Sequence, residues 1–147
     1  MKDRLVIRAV KNADKDFLVK GNDEIKRVEK QSKSDNDDLI RLFKALKKKN
    51  IKILEKNNKI VGFIAYDLNH KLMFYSKPVF WILEIYITKT ERQKGYAKLL
   101  YKHVYKIAKE KGYKNIYCDA YAVNKDAITF HKLNNFRPVY TVYEKKI

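Results

Sequence analysis

The chain has 147 residues, with 34 Lys or Arg against 17 Asp or Glu, giving a formal charge of +17. That length and its 46% hydrophobic content describe a soluble globular protein, expected as a single domain over residues 1–147. No apolar run approaches the ~20 residues that span a bilayer, the N-terminus lacks the apolar core of a signal peptide, and a single cysteine, Cys118, excludes an internal disulfide or a cysteine-rich metal site.

These features predict a cytoplasmic protein without a membrane partner. Only six of the basic residues are Arg, while Asn, Ile and Tyr are abundant and Gly and Pro scarce. Such a lysine-rich surface is what an AT-rich genome imposes. A chain built to read phosphates or bases would favour the bidentate Arg. The alternative is a polyanionic partner such as RNA, or steering of an anionic cofactor.

Residues 4–10 read as a first strand, after which Asp14 or Asp16 can cap a helix carrying Phe17, Leu18, Ile25 and Val28, with Gly21 weakening its middle. Residues 29–38 are polar and poorly patterned. Ser34 or Asp35 then caps a second helix with Leu39, Leu42, Phe43 and Leu46 inward. Residues 51–55 and 59–68 flank Asn57-Asn58 as a hairpin. The central strand runs over residues 81–87 and is interrupted by Glu84.

A helix follows, with Ala97, Leu100, Val104, Ile107 and Ala108 on one face and Gly112 at its C-terminal end. Gly95 falls in its first turn, where Gly costs roughly 1 kcal/mol against Ala, and Lys94 and Lys98 add charge to an end whose macrodipole is already positive. This is a weak helix start and a good anion cradle. Residues 114–123 are a further strand, Asn124 opens a short helix, and residues 136–143 make a last strand. The long crossover makes the strands either side of the central helix parallel neighbours, while the earlier hairpin is antiparallel. The fold class is therefore α/β with a mixed sheet flanked by helices.

Arg92-Gln93-Lys94-Gly95-Tyr96-Ala97 follows a strand and opens a helix, and downstream stand Asn124, Ala127, Phe130, His131 and Phe136. In this order the two motifs resemble those of the GNAT acetyltransferases, the first matching Arg/Gln-x-x-Gly-x-Gly/Ala and the second Asn-x-x-Ala-x-x-Phe-Tyr-x-x-x-Gly-Phe. The opening Ile7-Arg8 followed by Asp14 is similar too. The resemblance implies the GNAT fold, acetyl-CoA as co-substrate, no metal, and an amine acceptor in a ternary complex. It implies a pyrophosphate on the N–H groups of Gln93 to Ala97, with Arg92 in the same loop, and a pantetheine arm along Ile85, Tyr86 and Ile87. An N–H near Ile87 would meet the acetyl carbonyl. Asn124 would bond the pantetheine arm or cap its helix, and Phe130 would line the cofactor side.

Glu84 matches a carboxylate that serves many members as general base, often through water; otherwise it is a structural carboxylate on the solvent side of the sheet. An unperturbed Glu, at a pKa of ~4.3, is a weak base for an amine unless burial raises it. His131 stands where the family most often has Tyr to protonate the CoA thiolate. A histidinium can do this too, or the ring only packs there, with Tyr121, Tyr86 or Tyr96 as substitutes. Asn135 replaces the usual Gly, as the residue next best suited to a positive φ. Cys118 reads as a small core residue. Lys98, Lys102, Lys106 and Lys109 form a basic stripe that guides acetyl-CoA, meets RNA, or is merely solvated. The oligomeric state is monomer or homodimer. The competing reading is an RNA- or ribosome-associated protein of the same fold, binding RNA or acetylating a charged tRNA or ribosomal protein.

Overall fold

The computed structural model describes residues 2–29 and 37–147. Strands β1 (Leu5–Ala9), β2 (Ile51–Lys56), β3 (Lys59–His70), β4 (Val79–Ile87) and β5 (Ile116–Tyr117) form one sheet in that spatial order. Each neighbouring pair is antiparallel except β4 and β5, which are parallel. The mixed sheet expected from the sequence is present. Helices α1 (Lys15–Glu29) and α2 (Asp37–Lys47) cover one face, α3 (Tyr96–Glu110) covers the other, and α4 (Lys125–Leu133) follows β5.

The strand period of two divides the core between these faces. Leu18, Leu42, Ala45, Leu46, Ile51, Ile53, Phe63 and Tyr86 pack beneath α1 and α2. Leu54, Ile64, Phe80, Ile82 and Ile87 pack beneath Leu100, Val104 and Ala108 of α3. Among the described residues no helix is long and apolar enough to cross a membrane.

Local chemistry fixes the turns. Asn57 and Asn58 take φ of 51° and 67°, the two left-handed positions of a two-residue hairpin turn. Gly112 ends α3 at φ 83° and Asn135 follows α4 at φ 66°, the conformation expected of the residue standing in for Gly. Gly21, read as a weak point in α1, has a packing reason. A Cβ there would lie 2.7 Å from Phe63 and 2.8 Å from Tyr86, so the missing side chain lets the helix approach the sheet.

Four expectations are corrected. Asp14 closes a 3-10 turn over Asn12–Asp14 just before α1, its Oδ2 accepting from the Lys11 N–H at 2.7 Å and its carboxylate gripped by Arg8. Gly95 is not inside α3 but at its N-cap, in the left-handed region, so no helix-propensity penalty applies. Of the strand expected over residues 114–123 only Ile116–Tyr117 forms, because only these two residues find ladder partners, Phe80 and Trp81 of β4. Residues 136–143 form no strand; Phe136 packs on Tyr101 and His131, whereas Val142 and Tyr143 are exposed. The cap assigned to Ser34 or Asp35 lies outside the described residues.

Candidate active site

The site begins with a bulge. Ala65 pairs with Glu84 and Tyr66 with Ile82, which leaves Leu83 as the extra residue of β4. One extra residue shifts the alternation of every side chain after it. Phe80 and Ile82 face α3 before the bulge, and Ile85 and Ile87 face it afterwards. Glu84 is thereby turned to the opposite face, beneath α1, rather than toward solvent.

There it meets Asn22. The buried residues Leu18, Gly21 and Asn22 mark the inner stripe of α1, which continues through Ile25 to Glu29. Asn22 is 1% exposed, and its Nδ2 donates to Glu84 Oε1. Its own Oδ1 and Glu84 Oε2 are both closed to solvent and, among the described residues, without a hydrogen-bond partner. Burial pushes the Glu84 carboxyl up to about 8, against the opposing pull of the Asn22 amide, with Asp38 and Glu29 adding like charge. Two orphaned acceptors side by side are costly unless a donor joins them, and an amine or ammonium is such a donor.

The bulge also opens the sheet. Thr88 N–H donates to Val61 O at 2.8 Å, so Gly62 and Ile87 form the next, non-bonded pair of the antiparallel ladder. By the same alternation the backbone groups of Ile85 and Ile87 point away from β3, toward the edge where β5 stops at Tyr117. Tyr86, between them, points its ring beneath α1 and donates its OH to Glu24 at 2.6 Å. Arg92 Nε takes the Ile87 carbonyl at 2.9 Å, and its guanidinium reaches Glu24 at 3.6 Å, so this side chain ties the loop to the strand end.

Gln93 at φ 62° and Gly95 at φ 80° bend the loop with Lys94 between them. Gly95 offers α3 no side-chain cap, and no acidic residue occupies the first turn. A Cβ on Gly95 would meet nothing within 4 Å. The first N–H groups of a helix have no partner within it, α3 has no side-chain cap, and the space beside Gly95 is open, so the residues present fit a phosphate group. Beside it, an open cleft of about 550 Å³ runs between α3 and α4, lined by Lys98, Tyr101, Lys102, Tyr105 and Leu133.

The far wall comes from β5 and α4. Asn124 caps α4, its Oδ1 accepting from the Ala127 N–H at 3.1 Å, while its Nδ2 donates to Glu29 Oε2 at 3.3 Å. Phe130 stacks edge-on to Tyr101. His131 lies 3.5 Å from Cys118 Sγ, with Nε2 3.4 Å from the Asp119 carbonyl. The sequence offered Cys118 no partner; the fold supplies His131. Burial pushes the thiol up to about 12, and burial also lowers His131, so both are neutral at pH 7 and the pair is no thiolate–imidazolium couple. Of the tyrosines weighed as proton donors, Tyr86 is committed to Glu24, with its own ionisation pushed up to about 12 by burial and that carboxylate, and Tyr96 is buried in the α3 core. Tyr121 is half exposed beyond β5. Among the described residues no three His, Cys, Asp or Glu side chains converge as a metal site.

Sequence reading missed Asn22, Glu29 and the bulge. A polar residue on the apolar stripe of α1 was the available signal for Asn22, and the change of parity from Phe80 and Ile82 to Ile85 and Ile87 was the signal for the bulge.

Comparison with known proteins agrees with the fold. The sequence pattern of the acetyltransferase (GNAT) family matches residues 18–136, and the chain belongs to that family. No curated protein sequence matches it. Among solved structures, an aminoglycoside N-acetyltransferase, AAC(6')-Iy, in complex with CoA superimposes with a TM-score of 0.77 at 18% identity, over 100% of this chain and 97% of that one. A possible acetyltransferase from Clostridium difficile 630 gives 0.72 at 21% identity over 97% of each chain. A ribosomal-protein-alanine N-acetyltransferase from Brucella melitensis gives 0.69 at 17% identity, over 98% of this chain and 100% of that one. At these identities the likeness is one of fold.

Proposed function

We propose that this protein transfers an acetyl group from acetyl-CoA directly to an amine, with both substrates bound at once where β4 and β5 part. The observation that carries this is the orphaned oxygen pair of Asn22 and Glu84 beside the free backbone edge of β4. Acetyl-CoA supplies the activated thioester. The open N-terminus of α3, from Gln93 to Ala97, holds its pyrophosphate, and the outward backbone groups of Ile85 pair with the pantetheine arm, leaving the Ile87 N–H for the acetyl group. Lys98, Lys102, Tyr101 and Tyr105 give the nucleotide end charge and aromatic surface.

Glu84 and Asn22 receive the acceptor ammonium. With its proton affinity raised to about 8, Glu84 takes a proton from it far more readily than an ordinary carboxylate would. The Ile87 N–H, turned to the cleft, donates to the acetyl oxygen as negative charge gathers there. His131, neutral at the pH where Glu84 is ionised, serves the leaving sulfur as an N–H donor rather than as a histidinium. A free thiol ionises near pH ~8.5, so the thiolate needs no stronger acid in this range. The raised Cys118 thiol argues against a covalent acetyl-cysteine and for direct transfer.

The deciding experiment is calorimetric titration with acetyl-CoA, followed by thiol release across a panel of primary amines. Micromolar binding and amine-dependent release are expected. Absence of acetyl-CoA binding would overturn the reading.

A further inference from the structure

The two residues that flank Gln93 in the loop before α3, Arg92 and Lys94, are both cations, and each is already paired. Lys94 Nζ donates to Glu91 Oε2 at 2.9 Å, and Lys56 Nζ of β2 donates to the same oxygen at 3.0 Å. Arg92 turns the other way, over the end of β4. Its Nε donates to the Ile87 carbonyl at 2.9 Å, its guanidinium lies 5.9 Å from the centre of the Tyr86 ring, and its Nη2 stands 3.6 Å from Glu24 Oε2.

Glu24 is the fixed point of this arrangement. Its Oε2 faces Arg92 and also accepts from the Tyr86 hydroxyl at 2.6 Å, so α1, β4 and the loop meet at one carboxylate oxygen. Tyr86 is buried, with its ring against Phe17 and Phe63 at centroid distances of 5.7 and 5.8 Å. An exposed ion pair on its own contributes little, mainly because two long side chains must be ordered to make it. Here the acid is held by a buried phenol and the base by a backbone carbonyl, so most of that ordering is already in place. Gln93, the next residue, takes φ of 62°, a conformation that a non-glycine residue keeps where its surroundings hold it.

We infer that Glu24 is a positioning residue for the cofactor: it holds Arg92 on the Ile87 carbonyl, and Arg92 so held fixes the loop whose backbone N–H groups, rather than its side-chain cations, receive the pyrophosphate. This rests on the acetyl-CoA reading above and assigns Arg92 a brace's role within it. A carboxylate beside a site for a phosphate anion is adverse by charge alone. Its presence there makes sense when what it secures is the shape of the loop. Occupation of the Ile87 carbonyl by Arg92 also leaves the N–H of that residue as its group for the cleft.

The test turns on a sign. If Arg92 were a direct phosphate ligand, Glu24→Gln would free its guanidinium and remove a repelling charge, and CoA would bind tighter. If Arg92 is a brace, the same change releases it from Ile87 and the loop N–H groups lose their alignment. Calorimetric titration of Glu24→Gln with CoA should therefore show about tenfold weaker binding, while pantetheine, which lacks the pyrophosphate, binds as it does to wild type. The Gln oxygen still accepts from Tyr86, so the fold is kept. Arg92→Lys keeps the charge but not the fork that reaches Ile87 and Glu24 together, and should weaken CoA similarly. In an Arg92→Gln background, Glu24→Gln should add about twofold or less. Without CoA, hydrogen exchange at residues 93–97 should quicken in Glu24→Gln while α1 and β4 stay protected. Tighter or unchanged CoA binding by Glu24→Gln, wild-type affinity in Arg92→Lys, or losses that add in the double variant would overturn the inference. Failure of the underlying reading looks different: wild-type protein would bind no CoA, yet the exchange difference in the loop would remain.

Discussion

Asn22 donates its amide N–H to Glu84 across 62 residues of sequence, and each side chain keeps one oxygen with no partner among the described residues. The carboxyl is therefore held in place yet left short of hydrogen bonds, with burial raising it to about 8. Such a group suits proton transfer and is poor for stability, and the two effects can be measured on one variant. Glu84→Gln should cut amine-dependent turnover by about 10²-fold or more while leaving CoA affinity within a factor of two. The folded pKa lies above the unfolded value of 4.5, so the folded chain holds a proton that the unfolded chain releases. Stability is full below pH 4.5 and declines as pH rises toward about 8. The variant should accordingly melt higher than wild type at pH 8, by roughly 3–6 °C per kcal/mol recovered, and gain nothing at pH 4. Wild-type turnover would remove Glu84 from the reaction.

The pH profile discriminates between the roles of Glu84 and His131. With Glu84 near 8 and His131 below its ordinary 6.5, kcat/KM should rise through a single limb near pH 8 without an alkaline fall from loss of a histidinium. The Asn22 amide is the hydrogen bond that lowers Glu84, so Asn22→Leu should move that limb to higher pH. A bell whose descending side lies below pH 7 would instead show His131 working as a charged acid.

Much of this architecture could be read from the residues. The order of elements, the Asn57-Asn58 turn, the α3 face and the positive φ at Asn135 follow from local rules that the fold obeys. The departures all arise where tertiary packing decides. Leu83 looks like any apolar strand residue, yet as the bulged residue it sets which way Glu84 points. Asn22 is a poor helix former whose purpose lies on another element. Residues 114–123 have strand composition throughout, but a strand needs a partner, and only Ile116 and Tyr117 find one in β4. His131 and Cys118 are 13 residues apart and met only when α4 folded back.

Gly21 tests the packing that brings Asn22 to the sheet. Gly21→Ala improves helix propensity by roughly 1 kcal/mol, but its methyl would press on Phe63 and Tyr86, both held in the core. A net loss of about 1–3 kcal/mol is expected in urea unfolding. Displacement of α1 should also lower the turnover of folded enzyme, because Asn22 is the next residue. A neutral or stabilising result would mean that the helix and sheet are less closely apposed than the contacts require.

Gly95 tests the anion cradle itself. Any L-residue there must adopt φ near 80°, at a cost of roughly 1–2 kcal/mol, or else rotate the N–H groups away from the open space. A Cβ would occupy that space without touching the protein, so the damage falls on the bound phosphate rather than on the core. Gly95→Val should weaken CoA at least about tenfold, with a melting temperature lowered by only a few degrees. Desulfo-dephospho analogues of CoA that retain the pyrophosphate should show the same loss, whereas pantetheine alone should bind the two proteins equally. If the variant bound CoA as wild type does, the N-terminus of α3 would not be holding the pyrophosphate, and the Lys98 and Lys102 side of the cleft would have to carry it instead.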